Sequence, residues 1–158
     1  MTLPVQSFKL LSFSDMAPGT LFRLRDTWQL KFQSGTDNTE FAVVLAGENA
    51  GLWYRGSAIA KSTCLAIAPG LWRAEFAGVD QVTTANATEL ALAFSPQGAA
   101  IRCRAKYDWG WVSLDGLDCE AAMEPSNFQT WLRSWSIALI DVANGRTQEL
   151  FEIKAREA

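Results

Sequence analysis

Trp28, Leu30 and Phe32 alternate with Gln29, Lys31 and Gln33, and residues 21–25 alternate apolar side chains with Arg23 and Arg25. A two-residue period places every apolar side chain on one side of an extended chain, so both segments read as half-buried strands. Segments of this kind, rich in Phe, Trp, Val and Ile, recur between Gly, Pro, Asn and Asp, the rhythm of a meandering antiparallel protein. The pattern predicts an all-β fold of about nine or ten strands, built as a compact barrel or a two-sheet sandwich. Residues 41–46 are apolar at both parities, which predicts a central strand covered on both faces.

The C-terminal hairpin is the most specific local signal. A three-residue loop at Ala143-Asn144-Gly145, with Gly145 left-handed, pairs Ile137 with Phe151 and Trp135 with Ile153 and gives one apolar face. A two-residue Asn-Gly loop would set Ile137 against Glu152 instead. Before the hairpin, Ser126 and Gln129 resemble a capping box, and Phe128, Trp131, Leu132 and Trp135 have helical spacing. Trp131, Arg133, Trp135 and Ile137 also alternate as a strand would, so at most one short helix, near 127–133, competes with a strand reading.

With 158 residues, the chain has the length of one domain, 1–158, and buries roughly 70% of its unfolded surface on folding. Ala17-Pro-Gly-Thr-Leu-Phe-Arg23 resembles Ala68-Pro-Gly-Leu-Trp-Arg73, and residues 39–45 resemble 88–94, which outlines a pseudo-repeat of 17–56 and 68–106. A Pro-Gly turn feeding an aromatic strand is also a common β arrangement, so related β modules and a coincidence of turn chemistry both fit.

Several chemistries are removed by composition. The chain has no histidine, which takes away Ser-His-Asp and Cys-His nucleophile activation and His-ligated metals. Its three cysteines, Cys64, Cys103 and Cys119, are odd in number, widely spaced and without a CxxC, a pattern of reduced thiols rather than a disulfide framework or zinc site. No cofactor is expected. No apolar run approaches the roughly 20 residues of a membrane-spanning helix, and the N-terminus lacks the pattern of a secretory signal, so a cytoplasmic location without a membrane partner is the expectation. The net charge of −3 requires any nucleic-acid affinity to come from a local patch.

Such a patch stands out in Arg102-Cys-Arg-Ala-Lys-Tyr-Asp-Trp-Gly-Trp111. On a strand over 101–107, Arg102, Arg104 and Lys106 share one side and Ile101, Cys103, Ala105 and Tyr107 the other. A bulge at Gly110 would then send Val112 and Leu114 inward and leave Trp111 exposed near the basic stripe, with Trp109 inside. Arg23, Arg25 and Lys31 extend this positive surface if their strands lie alongside. Arg102, Arg104, Lys106 and Trp111 are therefore the candidate binding residues, and a solvated sheet face is the plain alternative.

Asp115, Asp118, Glu120 and Glu124 form an acidic cluster after the basic strand, without the residue spacing of an EF-hand loop. Ala93-Phe-Ser-Pro-Gln-Gly-Ala99 resembles the second motif of the PilZ dinucleotide-binding family. Ala93 replaces that motif's Asp or Asn, and no Arg-x-x-x-Arg occurs upstream, so no PilZ site residue carries over. No catalytic residue is nominated. The expected function is a small non-catalytic intracellular protein acting through a protein–protein interface, as an inhibitor, adaptor or assembly component, with self-association admitted. The alternatives are a nucleic-acid-binding β module, using Trp111 as a stacking platform, and a carbohydrate-binding module.

Overall fold

Alternation along β2 (Leu21–Leu24), β3 (Thr27–Gln33) and β4 (Glu40–Ala46) builds the middle of a six-stranded antiparallel sheet. β5 (Trp53–Arg55) flanks β4, while β6 (Thr63–Ile67) and the edge strand β1 (Lys9–Ser12) flank β2, giving the order β1-β6-β2-β3-β4-β5. The structure is a computed structural model, and it describes residues 3–34, 37–76, 89–95, 98–104, 109–114, 119–120, 130–132 and 134–155.

Opposite this sheet lie two smaller ones. β8 (Leu92–Ser95), β9 (Gly98–Arg104), β10 (Trp109–Ser113), β11 (Cys119–Glu120) and β12 (Thr130–Leu132) form one, in the order β11-β10-β9-β8-β12. β7 (Trp72–Glu75), β13 (Ser134–Ile140) and β14 (Thr147–Lys154) form the other, in the order β14-β13-β7. The architecture is an all-β sandwich and not a closed barrel. It has 14 strands among the described residues, more than expected.

The principal core fills the space between the sheets. Leu21, Leu30, Phe32, Val43 and Ile67 from the large sheet meet Leu92, Ile101, Val112, Ile137 and Ile153, each fully buried side chain of this size stabilising by roughly 1.5–3 kcal/mol. Phe32, Phe41 and Trp53 stack with ring centroids 5.5–5.9 Å apart. Trp53 lies against Gly110 of β10, where a Cβ would come within 2.7 Å of its indole. The Arg104 amide donates to the Gly51 carbonyl at 2.7 Å, next to a parallel bridge between Leu52 and Arg104. These contacts tie the β5 edge of the large sheet to β9 and β10.

A second core lies on the outer face of the large sheet, where Phe13, Met16, Phe22, Ala42, Cys64 and Ala66 pack together. β4 is therefore covered on both sides, as its sequence predicts, although it lies one strand in from the edge. Lys31 belongs to this layer and is completely buried. Its ammonium donates to the carbonyls of Phe13 and Met16 at 2.7 Å each, lies 3.2 Å from Glu40 and sits over the Phe13 ring. The expectation that Lys31 extends an outward basic surface is corrected: alternation puts it opposite Leu30, but the 3-10 turn Phe13–Asp15 folds over that face.

Tyr54 shares the same layer, and its hydroxyl donates to Gln29 Oε1. Burial raises the Tyr54 pKa, with the bond to Gln29 acting in the opposite direction. The folded state thus favours the neutral phenol, a contribution complete below the ordinary tyrosine value of 10.0 and lost as pH rises through the higher folded value. Urea unfolding between neutral pH and strongly alkaline pH should show a steeper loss of stability in the wild type than in Tyr54→Phe. Equal slopes would contradict this placement of Tyr54.

Ile137 pairs with Phe151 and Trp135 with Ile153, the predicted pairs, and Gly145 is left-handed with φ 69°. The loop is one residue longer than expected, because Ile140 pairs with Thr147 and a bulge lies beside Ile137. The Gly145 and Asn144 amides both reach the Asp141 carbonyl, closing that wider turn. The helix alternative fails over residues 130–132: β12 pairs with β8, and Leu132 is buried in the principal core. Residues 127–129, Lys106, Tyr107, Asp115, Asp118 and Glu124 lie outside the described residues. Both Pro-Gly turns of the pseudo-repeat close in the same way, from Thr20 to Ala17 and from Leu71 to Ala68. The strands they feed, β2 and β7, enter different sheets.

Candidate functional site

The basic stretch is not one strand followed by a bulge. β9 ends at Arg104 and β10 starts at Trp109, in a regular antiparallel ladder that sets Arg104 opposite Trp109, Arg102 opposite Trp111 and Ile101 opposite Val112. The break between strands resets the parity, so Val112 reaches the principal core with no bulge at Gly110. Directly opposed residues of an antiparallel pair share a face. Trp111 therefore stands on the arginine side, as expected, but it is only 4% exposed.

Its burial corrects the expected stacking platform. Ala91, Ala93 and Ala100 form a seat of small side chains for the Trp111 indole, with Ala155 packed against the group. The arginines are also engaged. Arg104 Nε lies 2.8 Å from Glu89 Oε1, and Arg102 is half-buried, its pKa lowered by desolvation and partly restored by the Glu89 charge. Glu89 is largely enclosed beneath Gly51, where a Cβ would fall 2.8 Å from Oε2. The next residue, Leu90, holds φ 64° while its carbonyl accepts the Trp135 indole N–H at 2.7 Å. The sequence reading missed Glu89, whose acidic side chain stands in an otherwise apolar run. Arg23 lies over Trp28, itself stacked on Phe151, and its guanidinium is 3.9 Å from Asp26.

A different surface is open. Among the described residues β7 is the edge strand of its sheet, and beside it runs a cavity of about 350 Å3. Trp72 and Phe76 line it from the β7 side, with Leu92, Phe94 and Leu114 from the other sheet and Arg73 at its margin. Phe76 is 46% exposed and meets Phe94 edge-on, with ring centroids 5.9 Å apart. The Trp72 indole N–H donates to the Gly19 carbonyl at 2.9 Å, fixing the ring that walls the groove. The Arg73 guanidinium is held by Glu75 at 2.6 Å. The Gly-Leu-Trp-Arg run after Pro69 carried the signal for this groove, but the sequence does not show that β7 ends its sheet.

Cys64 and Cys103 are buried, and burial raises the Cys64 pKa, so Cys64 is not an activated nucleophile. Among the described residues, no group of three or more Cys, Asp or Glu is placed to hold a metal ion, and no helix is long and apolar enough to cross a membrane. No family model, curated protein or solved structure matches the chain.

Proposed function

We propose that this is a non-catalytic binding protein that acts through a protein–protein interface, with the groove beside β7 receiving an extended segment of its partner. The observation that carries this reading is the partly exposed Phe76 over an aromatic groove at the edge of a sheet. An edge strand offers main-chain hydrogen bonds to an added strand, and a neighbouring apolar groove selects its alternate side chains. Rigid aromatic walls lose little conformational entropy on binding and commonly dominate interface energetics. Arg73 and Glu75, paired at the margin, suit a polar rim around such an apolar centre.

Affinity capture from the source lysate tests the reading, comparing wild type with Phe76→Asp at low and high salt. The expected result is a discrete protein retained in high salt and lost with Phe76→Asp, while the far-ultraviolet spectrum is unchanged. Retention insensitive to Phe76→Asp would overturn the reading. Nucleic acid that is released by salt and depends on Arg102 and Arg104 would favour the nucleic-acid alternative in its place.

A further inference from the structure

The loop end of the large sheet carries a second cavity, on the outer face and remote in character from the aromatic groove. The β2–β3 turn, the loop between β4 and β5 and the 3-10 turn Gly56–Ile59 enclose a cleft of about 500 Å3. Gln29 and Tyr54 line it from the sheet, Leu24 and Leu52 supply apolar surface, and Glu48 and Asn49 are exposed at its rim. From these residues we infer that the cleft is a binding site for a neutral saccharide unit.

The hydrogen bonds of the floor are already oriented. Tyr54 donates to Gln29 Oε1, Gln29 Nε2 donates to Thr27 Oγ1 at 2.9 Å, and Thr27 Oγ1 donates to the Leu24 carbonyl at 2.9 Å. With its proton committed, the Tyr54 oxygen faces an incoming ligand as an acceptor. The rim is equally fixed. Gly47, with φ 106°, packs where a Cβ would meet the Asp26 carbonyl at 2.9 Å, and Asn49, with φ 62°, accepts the Leu52 amide through its carbonyl at 3.0 Å. Groups held in place before binding avoid much of the ordering cost of association.

A pyranose combines a ring of hydroxyl groups with apolar C–H faces. Its hydroxyls match the Glu48 carboxylate, the Asn49 amide and the Tyr54 oxygen, and its C–H faces match Leu24 and Leu52. At the rim Asp26 and Glu48 are balanced by Arg25 and by Arg23, which lies 3.9 Å from Asp26, so no net local charge selects a phosphate or a carboxylate. The volume falls in the usual range of small-molecule sites, roughly 300–1,000 Å3. Among the described residues the cleft shares no lining residue with the β7 groove, so this inference and the protein-binding reading stand or fall separately.

Saturation-transfer NMR on the full chain tests the inference. The probes are the methyl glycosides of glucose, mannose, galactose and N-acetylglucosamine, with ethanolamine and inorganic phosphate as cationic and anionic comparisons. At least one glycoside should bind, shifting backbone amides at 24–29 and 47–54, and both Asn49→Gly and Glu48→Gln should weaken it by about tenfold. Both variants leave the fold intact, since glycine readily adopts the Asn49 backbone conformation and Glu48 is exposed. Binding by no glycoside, binding unaffected by both substitutions, or binding of ethanolamine or phosphate in their place would overturn it.

Discussion

Lys31→Ala is expected to destabilise the protein by about 3–5 kcal/mol, the range for removing one member of a buried polar cluster. Lys31 is fully buried, and its ammonium satisfies two main-chain carbonyls, those of Phe13 and Met16, in addition to Glu40. Alanine removes all three interactions, opens a cavity where the aliphatic stem lies, takes the ammonium from the Met16 carbonyl and leaves the Phe13 carbonyl with only the Met16 amide. Glu40 is different in weight. Its side chain is 41% exposed, so Glu40→Gln should cost no more than about 1 kcal/mol after solvent screening. Lys31→Met separates the contributions, because it keeps the stem and removes only the ammonium. Urea unfolding of the three variants should rank Lys31→Ala as most destabilised, Lys31→Met next and Glu40→Gln last. Equal effects for Lys31→Met and Glu40→Gln would mean that the ion pair, and not the anchoring of the Phe13–Asp15 turn, is what matters.

Gly110→Ala should cost about 1–3 kcal/mol, the usual range for overpacking a filled core. The added Cβ would lie 2.7 and 2.8 Å from two atoms of the Trp53 six-membered ring. That ring cannot retreat freely, since Phe32 and Phe41 stack against it on nearly parallel planes. A double-mutant cycle checks the cause: in a Trp53→Leu background, Gly110→Ala should lose most of its effect, because the smaller side chain leaves room. An undiminished cost in that background would place the strain in β10 itself. The outcome bears directly on how the large sheet is locked to the five-stranded one.

The residues that were legible in the sequence are those whose role is set by neighbours along the chain. The alternation of Trp28, Leu30 and Phe32, the two-sided apolar run of β4 and the pairing of Ile137 with Phe151 all follow from a period of two and a nearby turn. The same rule placed Arg102 and Arg104 together on one face. It failed at Trp111 because parity specifies a face and not what covers it. Ala91, Ala93 and Ala100 make that face a seat for the indole, and their alternation with larger residues is a signal visible only once β8, β9 and β10 are known to adjoin. Lys31 is the same case on the opposite side of the molecule, a polar parity covered by a turn 15 to 18 residues earlier in the chain. The β7 groove and the Glu89 contact depend on which strands end each sheet and which sheets meet, neither of which is encoded locally.

A photo-reactive benzoylphenylalanine at position 76, irradiated in the source cells, tests the protein-binding account most directly, with the same residue at Val142 as the comparison. Val142 is 72% exposed on the C-terminal hairpin and lies outside the groove. The account predicts a discrete protein adduct from position 76 that is absent from position 142, with the crosslinked peptide of the partner in an extended segment bearing apolar side chains. Adducts from both positions alike, or from position 142 alone, would contradict a docking surface beside β7.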